Sequence, residues 1–343
     1  MNEAEPGSAP PPGPGPTGRV QRLGGLLSVG VLVAVLAVGG WYVWTRREEV
    51  GAALGEIGVA AALGCLAMTM LGVLATGECW RVWLASVADA PPVRTSHQVF
   101  YLTQSGKYLP GSLWPFLAQA LVARRFGVAR SAMLSASTLF LVTHVVTGAV
   151  VGLVALGPAS VSMSASASTP ASGQRWLLGT VAVLGLLLLC PPVLARLLGL
   201  ADRVRRRPGP RAAAPSWATV GRTVGLMLLA WAAYGTATWL LVRELTPVED
   251  SWVVSVGAYA LAWVAGFVAV AAPAGVGARE AVLVLALAPL VGAPSAFSVA
   301  LVSRAALTVV DLGLAAASSG VLRGLSDGRG DVTSQAPSTG PGR

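Results

Sequence analysis

The sequence predicts an all-α polytopic membrane protein with about eight transmembrane helices, two broken or re-entrant segments, and both termini on the cytoplasmic side. Three observations carry this. Only 11% of the 343 residues are charged against 54% hydrophobic, with a mean hydropathy of +0.68, whereas a soluble surface carries about a quarter charge. Long unbroken Leu/Val/Ala runs exclude the alternating pattern of an outer-membrane barrel. The basic residues, finally, gather on one set of loops.

Residues 1–20 are rich in Pro and Gly and read as a disordered cytoplasmic tail, residues 21–323 as a single helical transmembrane domain, and residues 324–343 as a second disordered tail. Gly13, Gly15 and Gly18 spell GxGxxG, but prolines run through it and no strand precedes it, so dinucleotide binding is not implied. A helix needs about 20 apolar residues to cross the bilayer. Leu23 to Trp44 reads as a retained first span, followed by Ala52 to Ala75, Met133 to Leu156, Trp176 to Leu198 (kinked at Pro191 and Pro192), Thr219 to Val242, Trp252 to Ala272 and Ala296 to Leu322. Ala278 to Val291 is apolar but short, and counting it gives eight. Trp41, Trp44, Trp80, Trp83, Trp176, Trp217, Trp239 and Trp252 fall near the ends of these runs, where the headgroup layer suits an amphipathic indole.

With the N-terminus inside, 19 of the 24 basic residues lie on the cytoplasmic side, the distribution that the positive-inside rule favours. Loop 202–211, with Arg203, Arg205, Arg206, Arg207 and Arg211, is the main basic patch. It serves as a topology determinant, contacts anionic lipid, or recruits a partner enzyme. Nucleic acid is not implied. Cys65, Cys79 and Cys190 lie in apolar runs without metal-ligand spacing and are assigned to packing; no cofactor is expected.

Two breaks stand out. Gln98 to Ala123 is apolar enough to span, yet Pro110, Gly111 and Pro115 interrupt it, Lys107 sits mid-way, and both flanks are basic. A hairpin dipping in from the cytoplasm satisfies the charge rule better than a crossing. Lys107 is the chain's one lysine. It reads either as a point charge for a phosphate or carboxylate headgroup, with Tyr108 as a hydrogen-bond donor beside it, or as a lysine snorkelling to the interface. The second break, around Pro273, Gly275, Gly277, Arg279 and Glu280, precedes the short segment. Short, Pro/Gly-interrupted segments point to discontinuous helices, whose freed N–H groups hold ligands at membrane depth; a plain tight loop is the other reading.

Ionisable residues within spans are expensive and are site candidates by default. Arg304 and Asp311, seven apart, share one helix face and are expected to meet Glu280 or Arg279 across the bundle rather than each other. Glu78 and Arg81 have the spacing of a structural ion pair. His144 reads either as a proton-linked group or as a histidine hydrogen-bonded within the bundle. Gly51/Gly55, Gly148/Gly152 and Gly221/Gly225 have the GxxxG spacing that suits close helix packing.

The motifs GKYLPGSLWP (Gly106 to Pro115) and PAGVGARE (Pro273 to Glu280), with Arg304 in the last helix, resemble the lysylphosphatidylglycerol synthase transmembrane, or flippase-like, family over roughly residues 23–323. The resemblance implies a lipid-handling domain of the kind that moves an aminoacylated phospholipid between leaflets in the full synthases. Only residues 323–343 follow Leu322, so lysyl transfer is not expected of this chain alone. Many members are similar in carrying an acidic-basic pair in the third span, where this chain has Thr143 and His144.

The expectation is therefore a multi-pass plasma-membrane protein, not an enzyme, that translocates or binds anionic, aminoacylated or polyprenyl-phosphate lipid headgroups. Lys107, Tyr108, Pro110, Gly111, Pro273, Gly275, Gly277, Arg279 and Arg304 would form the binding site, with Glu280 and Asp311 balancing its cations when empty. The alternatives are a membrane-embedded transferase on a lipid-phosphate carrier, with Glu280 or Asp311 as base, and an accessory subunit of a lipid- or glycan-modifying enzyme. The chain has no nucleotide-binding motif, so any driving force comes from a gradient, a partner or downhill exchange.

Overall fold

The structure, a computed structural model, describes residues 57–108, 114–163, 179–180, 183–204, 215–246, 251–269 and 275–319, with positions 44, 47, 48, 51 and 55. Nine α-helices of nine or more residues have defined bounds among them: α1 (Val59–Val87), α2 (Val93–Gln104), α3 (Trp114–Val122), α4 (Arg130–Met163), α5 (Pro191–Val204), α6 (Trp217–Leu245), α7 (Ser251–Val268), α8 (Ala278–Val291) and α9 (Ala293–Ser318). The described residues contain no strand. Five helices, α1, α4, α6, α7 and α9, are long and apolar enough to cross a membrane. The expected first span and the basic loop 205–211 lie outside the described residues.

The boundaries correct the sequence reading in one place. The span expected at Ala52 to Ala75 is a helix running from Val59 to Val87, so Trp80 and Trp83 lie within its length. Both are fully buried in the bundle rather than at an interface, whereas Trp44, Trp217 and Trp252 are exposed. The kink expected at Pro191 and Pro192 is present as a break at Leu189 and Cys190, and a new helix starts with Pro191 at its first position, where a missing N–H costs nothing.

Apolar burial cannot distinguish the inside of this bundle from its outside, because lipid is as apolar as leucine; close van der Waals contact decides the packing. Each long helix buries only a stripe and turns large side chains such as Leu63, Leu228 and Val309 outward. Small residues set the closest approaches. A Cβ on Gly235 of α6 would lie 2.2 Å from Val256 of α7, and one on Gly152 of α4 would lie 2.4 Å from Leu261. Of the GxxxG pairs, Gly148/Gly152 is thus a packing surface, whereas Gly51/Gly55 and Gly221/Gly225 have nothing within 4 Å among the described residues. Several buried hydroxyls bond back to their own helices, as Thr143 does to the Leu139 carbonyl at 2.8 Å.

α1 packs along α6, and α7 packs against α4, α6 and α8. α9 lies against α1, α2 and α8. One end of α1 is fastened by Glu78, whose carboxylate takes two bonds of 2.6 Å from Arg81, one of 2.8 Å from Arg222 on α6, and lies 3.2 Å from His97 Nε2 on α2. The expected Glu78–Arg81 pair is therefore one edge of a cluster joining three helices.

Candidate functional site

Both sequence breaks are interruptions of helix. The first runs α2, a 3-10 turn over Ser105–Tyr108, then α3, with residues 109–113, including Pro110 and Gly111, outside the described residues. Gly106 lets the two arms close up: a Cβ there would come within 3.3 Å of the backbone at Trp114 and Pro115. This turn presents Lys107 and Tyr108 side by side, the ammonium 5.7 Å from the phenol ring centre. Pro273, in the second break, also lies outside the described residues; from Gly275 the chain is defined.

Gly275 and Gly277 hold φ of +70° and +87°, a region that L side chains rarely adopt. Gly275 also presses on α7, where its Cβ would lie 2.5 Å from Gly266 Cα. The turn launches α8, whose 14 residues rise only about 21 Å, short of the ~30 Å hydrocarbon layer. Gly292, φ +79°, ends it and starts α9 directly. The first turn of α8 carries Arg279 and Glu280.

The ionisable residues meet from four elements. Lys107 Nζ lies 2.6 Å from Asp311 Oδ2 on α9, and Tyr108 donates its hydroxyl to the same oxygen at 2.8 Å. The Asp311 side chain is 3% exposed, so the ammonium is its essential counter-charge. Arg304, two turns away, bonds to Glu280 Oε1. Glu280 Oε2 accepts from the Gly277 N–H at 2.6 Å, closing the start of α8. Arg279 lays its guanidinium over the Tyr259 ring of α7, 4.5 Å from the centroid.

Three expectations change as a result. Asp311 is partnered by Lys107, not by Arg279, because Arg279 turns toward α7 and its tyrosine. Lys107 does not snorkel to an interface; it is held on a buried carboxylate. The Gly277 N–H at the second break is not open to a ligand, since Glu280 occupies it.

Two adjoining hollows open on these groups. The first is lined by Lys107, Tyr108, Arg279 and Arg304 together with Trp263, Gly266, Phe267 and Gly275. The second shares Lys107, Trp263, Phe267 and Leu307 with it and adds Asp311, Tyr234, Tyr259, Thr76, Gln104, His144 and the rings of Phe100, Phe116 and Phe140. The space open to the centres of water-sized groups is ≈ 90 Å³ in the first and ≈ 100 Å³ in the second, several times the ~10–15 Å³ that one water needs.

His144 forms part of the inner wall. Its ring stacks on Trp263 at 3.8 Å and 7°, with Trp231 and Phe140 edge-on. The side chain is 5% exposed, and among the described residues neither ring nitrogen has a hydrogen-bond partner. The expectation that the bundle hydrogen-bonds it does not hold. Sequence reasoning also passed over Tyr259, Trp263 and Gly266, which look like ordinary α7 core; only the structure brings Tyr259 beneath Arg279.

The model of the lysylphosphatidylglycerol synthase transmembrane region matches residues 25–315 of the chain. A comparison with curated proteins finds no match. The chain belongs to that family: it is a multi-pass membrane protein related to lipid handling.

Proposed function

We propose that the chain binds the headgroup of a phospholipid or polyprenyl-phosphate lipid and moves it between the leaflets of the plasma membrane, the acyl chains remaining in the bilayer. The observation that carries this reading is the convergence of Lys107, Arg279 and Arg304 on one hollow where two membrane segments break. Cations at lipid depth are costly, and a bundle that gathers three of them beside an open hollow favours an anionic cargo. The paired carboxylates support transport over catalysis. Glu280 and Asp311 each already hold a cation, so neither is a free base of the kind a transferase needs.

The test is leaflet exchange of a fluorescent phospholipid in proteoliposomes. Lys107→Ala and Arg304→Ala are each expected to abolish headgroup movement while the protein still incorporates. Wild-type exchange in both variants ends the proposal.

A further inference from the structure

We propose, resting on the headgroup reading, that Tyr259 is a positioning residue for Arg279, and that a stack running through Tyr234 to Gly72 on α1 sets where this cation sits. The three cations of the hollow are not held alike. Lys107 and Arg304 are held by the carboxylates of Asp311 and Glu280, whereas Arg279 lies over the Tyr259 ring, 4.5 Å from its centroid, with the Tyr259 hydroxyl also beside it. A carboxylate takes up N–H donors. A ring attracts the charge itself, so most of the five donors of the guanidinium stay available to oxygens in the hollow that Arg279 lines.

The sequences of α7 and α8 bring this about locally. Tyr259 and Gly266 are seven apart on α7 and so share a face. Gly266 gives Arg279 its approach, since a Cβ there would lie 3.2 Å from Arg279 Cβ. Behind Tyr259, the Tyr234 ring of α6 stacks at 5.1 Å and 20°. Tyr234 is seated in turn on Gly72 of α1, where a Cβ would meet the ring 2.5 Å from its nearest atom. Both tyrosines are buried. The column therefore crosses α8, α7, α6 and α1, with backbone at its far end and no flexible side chain between Gly72 and the guanidinium to absorb a displacement. Without the Tyr259 ring, Arg279 spreads over rotamers that binding must order again. With a methyl on Gly72, the Tyr234 ring has to move by roughly 1 Å to regain ordinary contact, and it carries Tyr259 and the cation with it.

The test is leaflet exchange by the full chain in proteoliposomes at graded mole fractions of fluorescent phosphatidylglycerol in phosphatidylcholine, which gives a half-saturating fraction and a maximal rate for each variant. Tyr259→Leu is expected to raise the half-saturating fraction roughly tenfold, equivalent to about 1.4 kcal/mol and within the range of a partly desolvated cation–π contact, with a smaller fall in maximal rate. Tyr259→Phe, which keeps the ring, should recover most of that loss. Gly72→Ala should raise the half-saturating fraction severalfold, whereas Gly64→Ala, which on the same helix meets only Leu240 Cδ1 at 2.9 Å, should not. Each rise should vanish in an Arg279→Gln background, where no guanidinium is left to position. A rise for Tyr259→Leu that persists in that background overturns the inference, because packing alone then accounts for it. So does a wild-type half-saturating fraction in Tyr259→Leu, or in Arg279→Gln while Lys107→Ala and Arg304→Ala abolish exchange. Should Tyr259→Leu fail to incorporate, Gly72→Ala and Tyr234→Leu decide by the same cycle. Wild-type exchange in Lys107→Ala and Arg304→Ala brings down the headgroup reading instead.

Discussion

The Lys107–Asp311 pair offers a sharp energetic test of the site's architecture. Lys107→Met leaves the 3%-exposed Asp311 carboxylate with the Tyr108 hydroxyl as its hydrogen-bond partner, and removing one member of a buried ion pair costs about 3–5 kcal/mol. Asp311→Leu strands an ammonium that is still 27% exposed, so partial hydration holds that loss to about 1–3 kcal/mol. The double variant removes both charges, and isosteric apolar replacement of a buried pair is often neutral or even stabilising. The double variant should therefore be more stable than Lys107→Met, with a coupling of at least about 3 kcal/mol in the double-mutant cycle. Unfolding of the purified chain in mixed micelles, titrated with sodium dodecyl sulfate, measures it. Lipid exchange should stay lost in the double variant, which separates cargo binding from folding. Additivity within about 0.5 kcal/mol would refute the reasoning, since it would mean that the two groups do not meet.

Four further outcomes follow from particular contacts. Gly275→Ala combines a φ of +70° with a Cβ placed 2.5 Å from Gly266 Cα, and it should cripple folding, read as loss of monodisperse protein in size exclusion. Gly277→Ala has φ +87° but open space around it, and should lose only about 1–2 kcal/mol by micellar unfolding. In the Glu78 cluster, Arg222 is 58% exposed, so Arg222→Ala should change stability by under about 1 kcal/mol. Trp83→Ala, five residues from Glu78 and fully buried, should lose about 3–5 kcal/mol in the same assay.

The two breaks were legible because Pro, Gly and a single lysine interrupt otherwise continuous apolar text, and α8 begins and ends where the sequence placed it, at Ala278 and Val291. Gly277 and Gly292, both at positive φ, punctuate it. Bounds without such punctuation were less legible. The apolar run from Ala52 to Ala75 says nothing of where within it a helix starts, and α1 continues to Val87 through Trp80 and Trp83, whose amphipathic rings suit an interface and a core equally. Seven-residue spacing put Arg304 and Asp311 on one face of α9, but which cation each carboxylate takes depends on how α2, α8 and α9 sit together. No local pattern encodes contacts between residues 107 and 311. His144 was visible as an ionisable residue within a span, whereas its stack on Trp263 is a matter of α4 and α7 packing together.

The acidic residues explain how such a cluster of cations is tolerated within an apolar bundle. A guanidinium or ammonium at lipid depth, unpaired, would draw in water or distort the helix that carries it. Here the counter-charges also do the positioning: Glu280 fixes the start of α8 through the Gly277 N–H while holding Arg304, and Asp311 draws the turn at Lys107 and Tyr108 onto α9. The cations are thus placed by the bundle itself, and under the proposed function a phosphate would not have to order them. Because Lys107 has three donors and Arg304 five, each can keep its carboxylate and still turn an N–H toward an incoming oxygen. Arg279, held over the Tyr259 ring, makes no ion pair among the described residues.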